Sequence, residues 1–178
     1  MDQVFAPWRI EWVERETDAV DGCPFCVLPA REDDRESRIV ARSEHAFVLL
    51  NNAPYNPGHA MVIPGRHVAG YADLTDAELA AHARLRVRTL RAIREAFAPD
   101  GLNTGTNLGG AAAGGSIDDH VHEHVVPRWS GDTSFMPVVS DTKVIVEAIE
   151  ASYDRLHDAF AGQEDAEESG TGAVRLPV

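Results

Sequence analysis

The sequence has almost no lysine, few cysteines and no long apolar run. Lys143 is the only lysine among 178 residues, so arginine supplies nearly all of the 16 basic charges. Acidic residues number 29, and the resulting net charge of −13 disfavours non-specific binding to nucleic acid. An acidic, lysine-poor composition indicates a halophilic source, although an ordinary acidic protein from a GC-rich genome has the same composition.

The lack of long apolar segments excludes a bilayer-spanning helix, which needs roughly 20 apolar residues. The N-terminus also has no basic region followed by an apolar stretch. We therefore expect a cytoplasmic protein with no membrane partner.

The two cysteines form a Cys-x-x-Cys pair, Cys23 and Cys26. In an intracellular protein they are too close together for an ordinary structural disulfide. A redox pair would need a βαβ pattern around it, whereas the flanking sequence is typical of loops, so no redox cofactor is expected. Zinc is the better interpretation, provided that histidines elsewhere complete a tetrahedral site.

The chain is long enough for one domain with a substantial core. Residues 1–22 are interpreted as an N-terminal docking arm, 23–160 as the domain, and 161–178 as an acidic, disordered tail rich in Glu, Asp, Gly and Ser. Antiparallel strands with two segregated helices predict an α+β fold. The strands are expected over 38–41, 45–50, 60–63, about 101–108 and 119–127.

Helix signals occur at two places. Thr75 and Glu78 form a capping box, and Pro99 ends the helix that follows. A second helix is predicted over about 143–160. The expected apolar stripes contain Leu79, Ala83, Val87, Leu90, Ile93 and Phe97 in the first helix, and Ile145, Ile149, Leu156 and Phe160 in the second.

The most informative stretch is the run of His120, His122 and His124 at every second position. Side chains alternate along a strand, so the three imidazoles are expected on one face, about 6 to 7 Å apart at each step. Such a row can supply a nucleophile, a proton shuttle and metal ligands. A glycine-rich approach over 109–116 favours anion binding, and so chemistry on a phosphate ester. A catalytic metal site and a solvated polar face remain as alternatives.

The histidine run, followed by Val125 and Val126, resembles the signature of the histidine triad (HIT) family. Three further motifs are similar to that family and occur in its order. They are a zinc knuckle at Cys23-Pro-Phe-Cys26, a Pro57-Gly58-His59 segment leading into a strand, and a phosphate loop at Gly114-Gly115-Ser116. The resemblance covers roughly residues 5 to 160 and points to the branch of diadenosine tetraphosphate phosphorylases and hydrolases. It implies a HIT-like antiparallel sheet in a homodimer.

The resemblance also implies roles for individual residues. His122 would attack the α-phosphorus of a dinucleoside polyphosphate and carry the nucleotidyl group until water or inorganic phosphate accepts it. His124 and His59 would hydrogen-bond the phosphoryl oxygens. A structural zinc ion would be held by Cys23, Cys26, His67 and His120. Nucleotide binding is assigned to Asn51, Asn107, Gly115, Ser116 and Trp129, and packing is an equally good role for Trp129.

Glu123 departs from the family pattern, in which this position is apolar or aromatic. A carboxylate is costly to bury without a partner. Either this face of the strand is exposed, or Glu123 pairs with an arginine, within the chain or across a dimer interface.

The leading hypothesis is therefore a homodimeric enzyme that cleaves a dinucleoside polyphosphate, with the phosphorylase reaction ahead of the hydrolase reaction. Three alternatives stay open. They are a nucleoside phosphoramidase, a nucleotide-binding regulatory protein without turnover, and a zinc hydrolase that uses the three histidines as ligands.

Overall fold

The computed structural model describes residues 21–113, 117, 119–132 and 147–177, so most of the predicted N-terminal arm lies outside the described residues. Seven strands are present in the described part of the chain: β1 (Ile39–Arg42), β2 (Ala46–Leu50), β3 (Ala60–Pro64), β4 (Gly101–Thr106), β5 (Glu123–Arg128), β6 (Glu167–Glu168) and β7 (Val174–Arg175). They form one sheet in the order β4-β5-β3-β2-β1-β7-β6. Only the β1–β7 pair is parallel, so the sheet is mixed and the predicted all-antiparallel sheet is corrected.

The described helices are the short α1 (Pro24–Val27), α2 (Asp76–Phe97) and α3 (Ile149–Ala161), and none of them is long and apolar enough to cross a bilayer. The capping box of α2 is confirmed, since the Thr75 side chain accepts from the Glu78 amide and the Glu78 carboxylate accepts from the Thr75 amide. Helix α3 begins later than predicted, because Ala148 is an extended N-cap residue. Short 3₁₀ turns occupy Leu28–Ala30, Tyr71–Asp73 and Gly110–Ala113.

The two faces of the sheet carry separate hydrophobic clusters. Along β2, Ala46, Val48 and Leu50 pack on the side covered by α2 and α3, whereas Phe47 and Leu49 belong to a smaller cluster on the other side. This follows from the alternation of side chains along a strand. The second cluster also contains Phe25 of α1, Ile39, Met61, Ile63 and Ala173.

The buried face of α2 differs from the predicted stripe. Leu79 and Val87 are 44% and 42% exposed, while His82 and Thr89 are buried. These polar residues tolerate burial because their side chains bond to main-chain carbonyls, that of His82 to β3 and that of Thr89 one helical turn back. Only the C-terminal positions of the predicted stripe are fully buried.

The predicted disordered tail is wrong for the residues described, 161–177. Ala173, Val174 and Leu176 are each about 1% exposed and complete the edge of the sheet beside β1. The acidic composition of the segment hides this short apolar run, whose burial outweighs the polarity around it.

Asp34 fixes this C-terminal segment to the body. Its carboxylate is fully buried and accepts hydrogen bonds from the Arg42 guanidinium and the Thr171 hydroxyl. The main-chain amide of Asp34 also donates to the Thr171 carbonyl. The Arg42 side chain is only 25% exposed, so its charge depends on Asp34 for compensation.

We expect Asp34→Ala to lower the free energy of unfolding by about 3 kcal/mol, because it leaves a largely buried guanidinium unpaired. Urea unfolding at neutral pH measures this loss. The matched control is Asp154→Ala. It removes an ion pair with Arg35 in which the two side chains are 56% (Arg35) and 57% (Asp154) exposed. That change should cost less than about 1 kcal/mol, and equal losses in the two variants would contradict the assignment.

Candidate active site and metal site

The histidines lie on the sheet face that α2 and α3 leave uncovered. Strand β5 begins at Glu123, so His120 and His122 precede it and the strand predicted over 119–127 is shorter than expected. His124 pairs with Met61 of β3 and Gly105 of β4, in the middle of the sheet. The rings of His122 and His124 meet edge to face, with their centroids 5.0 Å apart.

The hydrogen bonding of His122 determines which nitrogen is available for reaction. Its Nδ1 lies 2.9 Å from the His120 carbonyl oxygen, which can only accept, so Nδ1 carries the proton. In the neutral ring, Nε2 then holds the lone pair. Burial lowers the pKa of His122 below its usual value, and the hydrogen bond to the carbonyl offsets part of that effect. The ring is therefore held as a neutral imidazole with a nucleophilic Nε2.

His59 and His124 form a directed hydrogen-bond chain. The Tyr55 amide donates to Nδ1 of His59 over 3.1 Å, so the His59 proton is on Nε2. That Nε2 lies 3.0 Å from Nδ1 of His124 and donates to it. His124 consequently carries its own proton on Nε2. His59 is only 1% exposed, so its ring is buried beside His124.

Gly58 allows the chain to bring His59 into this position. Its φ of +76° is a conformation that other residues adopt at a cost. A Cβ atom at this position would lie 2.5 Å from the Phe97 ring. Glycine is thus required both by the backbone and by the close approach of α2.

The loop before His59 is also tied to the end of β5. The Asn56 side-chain amide donates to the Pro127 carbonyl and to the carboxylate of Asp132. Arg128 donates to that carboxylate and lowers the pKa of Asp132 to about 2. Charge-assisted bonds of this kind hold His59 and His124, which lie on separate segments, in a fixed relation.

Four side chains predicted as metal ligands converge at the other end of the histidine row. The ligand atoms of Cys23, Cys26, His67 and His120 all lie within 4.8 Å of one another. Nδ1 of His120 is 3.4 Å from the Cys23 sulfur, and Nδ1 of His67 is 3.2 Å from the Cys26 sulfur. Two thiolates and two imidazoles form a donor set that suits a tetrahedral zinc ion.

The outer contacts of this cluster also fit a metal. Nε2 of His120 donates to the Pro64 carbonyl over 2.9 Å, which leaves Nδ1 unprotonated and facing the cysteines. Nε2 of His67 lies 3.5 Å from the Asp119 carboxylate, a common partner of a ligating imidazole. His120 is thus turned toward the cysteines, which disfavours a single metal held by all three histidines of the row.

The structure describes three of the five residues predicted to bind the nucleotide. Asn51 follows β2, where its side chain accepts from the Ala53 amide and donates to the Met61 sulfur. Asn107 directly follows β4, whose last residue, Thr106, pairs with Glu123. Trp129 packs against the main core on the helix side, so its contacts support the packing role. Gly115 and Ser116 lie outside the described residues.

Glu123 is 5% exposed and faces α2, away from the histidines. Its carboxylate lies 3.5 Å from the Arg86 guanidinium of the same chain. The arginine partner predicted for Glu123 is therefore present, and it is intramolecular.

Phe25 is the residue at the site that the sequence analysis missed. It is 3% exposed and lies with its ring centroid 4.9 Å from that of His122. An aromatic residue between two cysteines predicted as metal ligands was the available signal, but nothing in the sequence shows which surface it packs on.

Comparisons with known proteins identify the family. The HIT domain model matches residues 32–131. The AP-4-A phosphorylase of Mycobacterium tuberculosis is 38% identical over 156 residues, covering 84% of this chain and 79% of that protein. The bis(5'-adenosyl)-triphosphatase of Dictyostelium discoideum is 35% identical over 98 residues, covering 55% of this chain and 64% of that protein. A Zn-bound histidine triad family protein from Mycobacterium smegmatis superposes with a TM-score of 0.56 and 32% identity, covering 69% of this chain and 83% of that one. With its histidine row, its Pro-Gly-His turn and its Cys/His cluster in place, the chain belongs to the histidine triad family.

Proposed function

We propose that this protein cleaves a dinucleoside polyphosphate through a nucleotidyl group carried on His122. The observation that carries the proposal is the 2.9 Å contact of His122 Nδ1 with the His120 carbonyl, which leaves Nε2 as a nucleophile beside His124. The names of two relatives, a phosphorylase of AP-4-A and a triphosphatase of a bis-adenosyl compound, support the substrate class.

In the first step, His122 Nε2 attacks the α-phosphorus of the substrate. A phosphorus–nitrogen bond forms, and the phosphorus–oxygen bond to the leaving polyphosphate breaks. His124, with its proton on Nε2, donates to the phosphoryl group, where negative charge is concentrated in the transition state. His59 fixes that proton on the correct nitrogen of His124.

In the second step, inorganic phosphate or water attacks the same phosphorus and releases His122. Phosphate yields a nucleoside diphosphate, whereas water yields a nucleoside monophosphate. Asn51 and Asn107 are proposed to bind the nucleotide, Asn51 from its place beside Met61 and Asn107 from its place directly after β4. We favour the phosphorylase reaction because the relative that matches 84% of the chain bears that name.

We further infer that Cys23, Cys26, His67 and His120 hold a structural zinc ion. All four positions are filled by protein ligands, as in closed zinc sites that contribute to folding. When bound, the ion supplies a crosslink between the N-terminal knuckle and the segment before β5. The catalytic histidines 122 and 124 are outside this ligand set.

Product identification decides between the two reactions. Diadenosine tetraphosphate should give ADP and ATP in the presence of inorganic phosphate, as identified by mass. AMP and ATP, formed equally with and without phosphate, would show a hydrolase. If the protein leaves diadenosine tetraphosphate intact but releases the amine from an adenosine phosphoramidate, it is a phosphoramidase. If it binds nucleotide but turns over neither substrate, it is a regulatory protein.

A homodimer is also proposed, from the edge of the sheet at β4. Within the described part of the chain, this strand pairs only with β5 and its other edge has no partner strand. Leu108, two residues beyond the end of β4, is an apolar residue that is 50% exposed. Light scattering should give twice the mass of the 19.4 kDa chain. Leu108→Glu should halve that mass, and an unchanged dimer would place the interface elsewhere.

A further inference from the structure

Phe25 connects the metal cluster to the proposed nucleophile. It lies in the helical turn α1, with the ligand cysteines Cys23 and Cys26 on either side of it in the sequence. Its ring centroid is 5.5 Å from that of His120, edge to face, and 4.9 Å from that of His122. One buried side chain therefore touches both a ligand imidazole and the nucleophilic imidazole.

His122 is held mainly by groups that belong to this cluster. Its Nδ1 donates to the carbonyl of His120, which is itself a member of the ligand set. Phe25 packs against its ring, and Phe25 lies in the short helix that begins directly after Cys23 and contains Cys26. A third aromatic neighbour, His124, meets the His122 ring edge to face, with the centroids 5.0 Å apart.

We propose that Phe25 is a positioning residue for the nucleophile, which the Cys/His cluster holds against His122 so that Nε2 stays aimed at the α-phosphorus. The predicted effect on kcat rests on the proposed function, whereas the predicted effect on the orientation of the His122 ring does not. Phe25 is 3% exposed, so its side chain offers almost no surface to a substrate. Truncating the Phe25 side chain should therefore slow the chemical step and leave nucleotide binding unchanged.

The expected kinetic result is a fall in kcat of about tenfold for Phe25→Ala, or about 1.4 kcal/mol in activation free energy, with KM changed by less than about twofold. Phe25→Leu, which keeps apolar bulk against the ring, should recover most of the rate. Zinc content, measured by elemental analysis, should stay unchanged in both variants. The matched control is Ile63→Ala, since Ile63 is a fully buried member of the same apolar cluster on β3.

A spectroscopic measurement separates positioning from ordinary packing and does not need turnover. In the wild type, the ¹⁵N signals of His122 should show a single Nδ1–H tautomer. In Phe25→Ala, and in wild type stripped of metal by a chelator, they should show mixed tautomers or exchange broadening. In Ile63→Ala they should match the wild type.

The proposal is overturned if Phe25→Ala lowers kcat no more than Ile63→Ala does, or if the His122 signals are unchanged in both Phe25→Ala and the metal-free protein. If Phe25→Ala fails to fold, Phe25→Leu and the metal-free wild type carry the same comparison. A wild type that cleaves no dinucleoside polyphosphate would reject the proposed function alone, because the ¹⁵N comparison still decides the role of Phe25.

Discussion

Replacing His122 with glutamine should lower kcat on diadenosine tetraphosphate by at least about 10⁴-fold. Glutamine is close to histidine in size and can still bond to the His120 carbonyl, so the fold and the substrate pocket should persist. It has no nitrogen lone pair that can attack phosphorus, because its amide nitrogen is conjugated to the carbonyl. Initial rates at saturating substrate measure the loss, and equilibrium dialysis of a nucleotide checks that binding is kept.

The matched control is His45→Gln, which changes an imidazole in the β1–β2 turn whose side chain is 36% exposed and which is not among the proposed site residues. Its kcat should stay within about twofold of the wild type. A His122→Gln protein with more than a tenth of wild-type activity would rule out His122 as the nucleophile. Loss of activity in both variants would point to a general effect on folding.

Removing one ligand of the Cys/His cluster should abolish zinc binding. The wild type is expected to contain one zinc ion per chain, and Cys26→Ser or His67→Ala close to none, because a tetrahedral site with three protein ligands binds zinc far more weakly. Thermal unfolding should occur at a lower temperature in both variants, since metal that binds only the folded state stabilises it. Elemental analysis and calorimetry measure the two effects.

His45→Ala is the control for His67→Ala, because the two side chains are similarly exposed, at 36% and 42%. It should keep its zinc and its unfolding temperature. Zinc that survives in Cys26→Ser but is lost in His124→Ala would favour a metal held by the histidine row, and would contradict the structural site.

Local rules predicted the parts of the fold that depend on neighbouring residues. The capping box at Thr75 and Glu78 needs only residues three apart, and it starts α2 as expected. The arginine partner of Glu123 could be anticipated because a buried carboxylate is costly alone. The convergence of two cysteines and two histidines followed from the family resemblance, since residues 41 to 97 positions apart carry no local signal of contact.

The errors arose where tertiary contacts outweigh local pattern. The exposed Leu79 and Val87 belong to a regular apolar stripe, yet the sheet lies against the face of α2 that carries His82. Residues 161–177 are polar on average. A short run within them, 173–176, nevertheless packs beside β1, and Asp34 hydrogen-bonds to the same C-terminal segment. The contact of Phe25 with His122 depends on how α1 folds over the sheet, which no periodicity encodes.

The covalent intermediate tests the central proposal most directly. Wild-type protein is mixed with diadenosine tetraphosphate, quenched within milliseconds in alkaline denaturant to preserve a phosphorus–nitrogen bond, and digested for mass spectrometry. One adenylyl group should be found on the peptide that contains His122, and none in His122→Gln. Rapid turnover without an adduct, or an adduct on His124 or another residue, would contradict nucleophilic catalysis by His122.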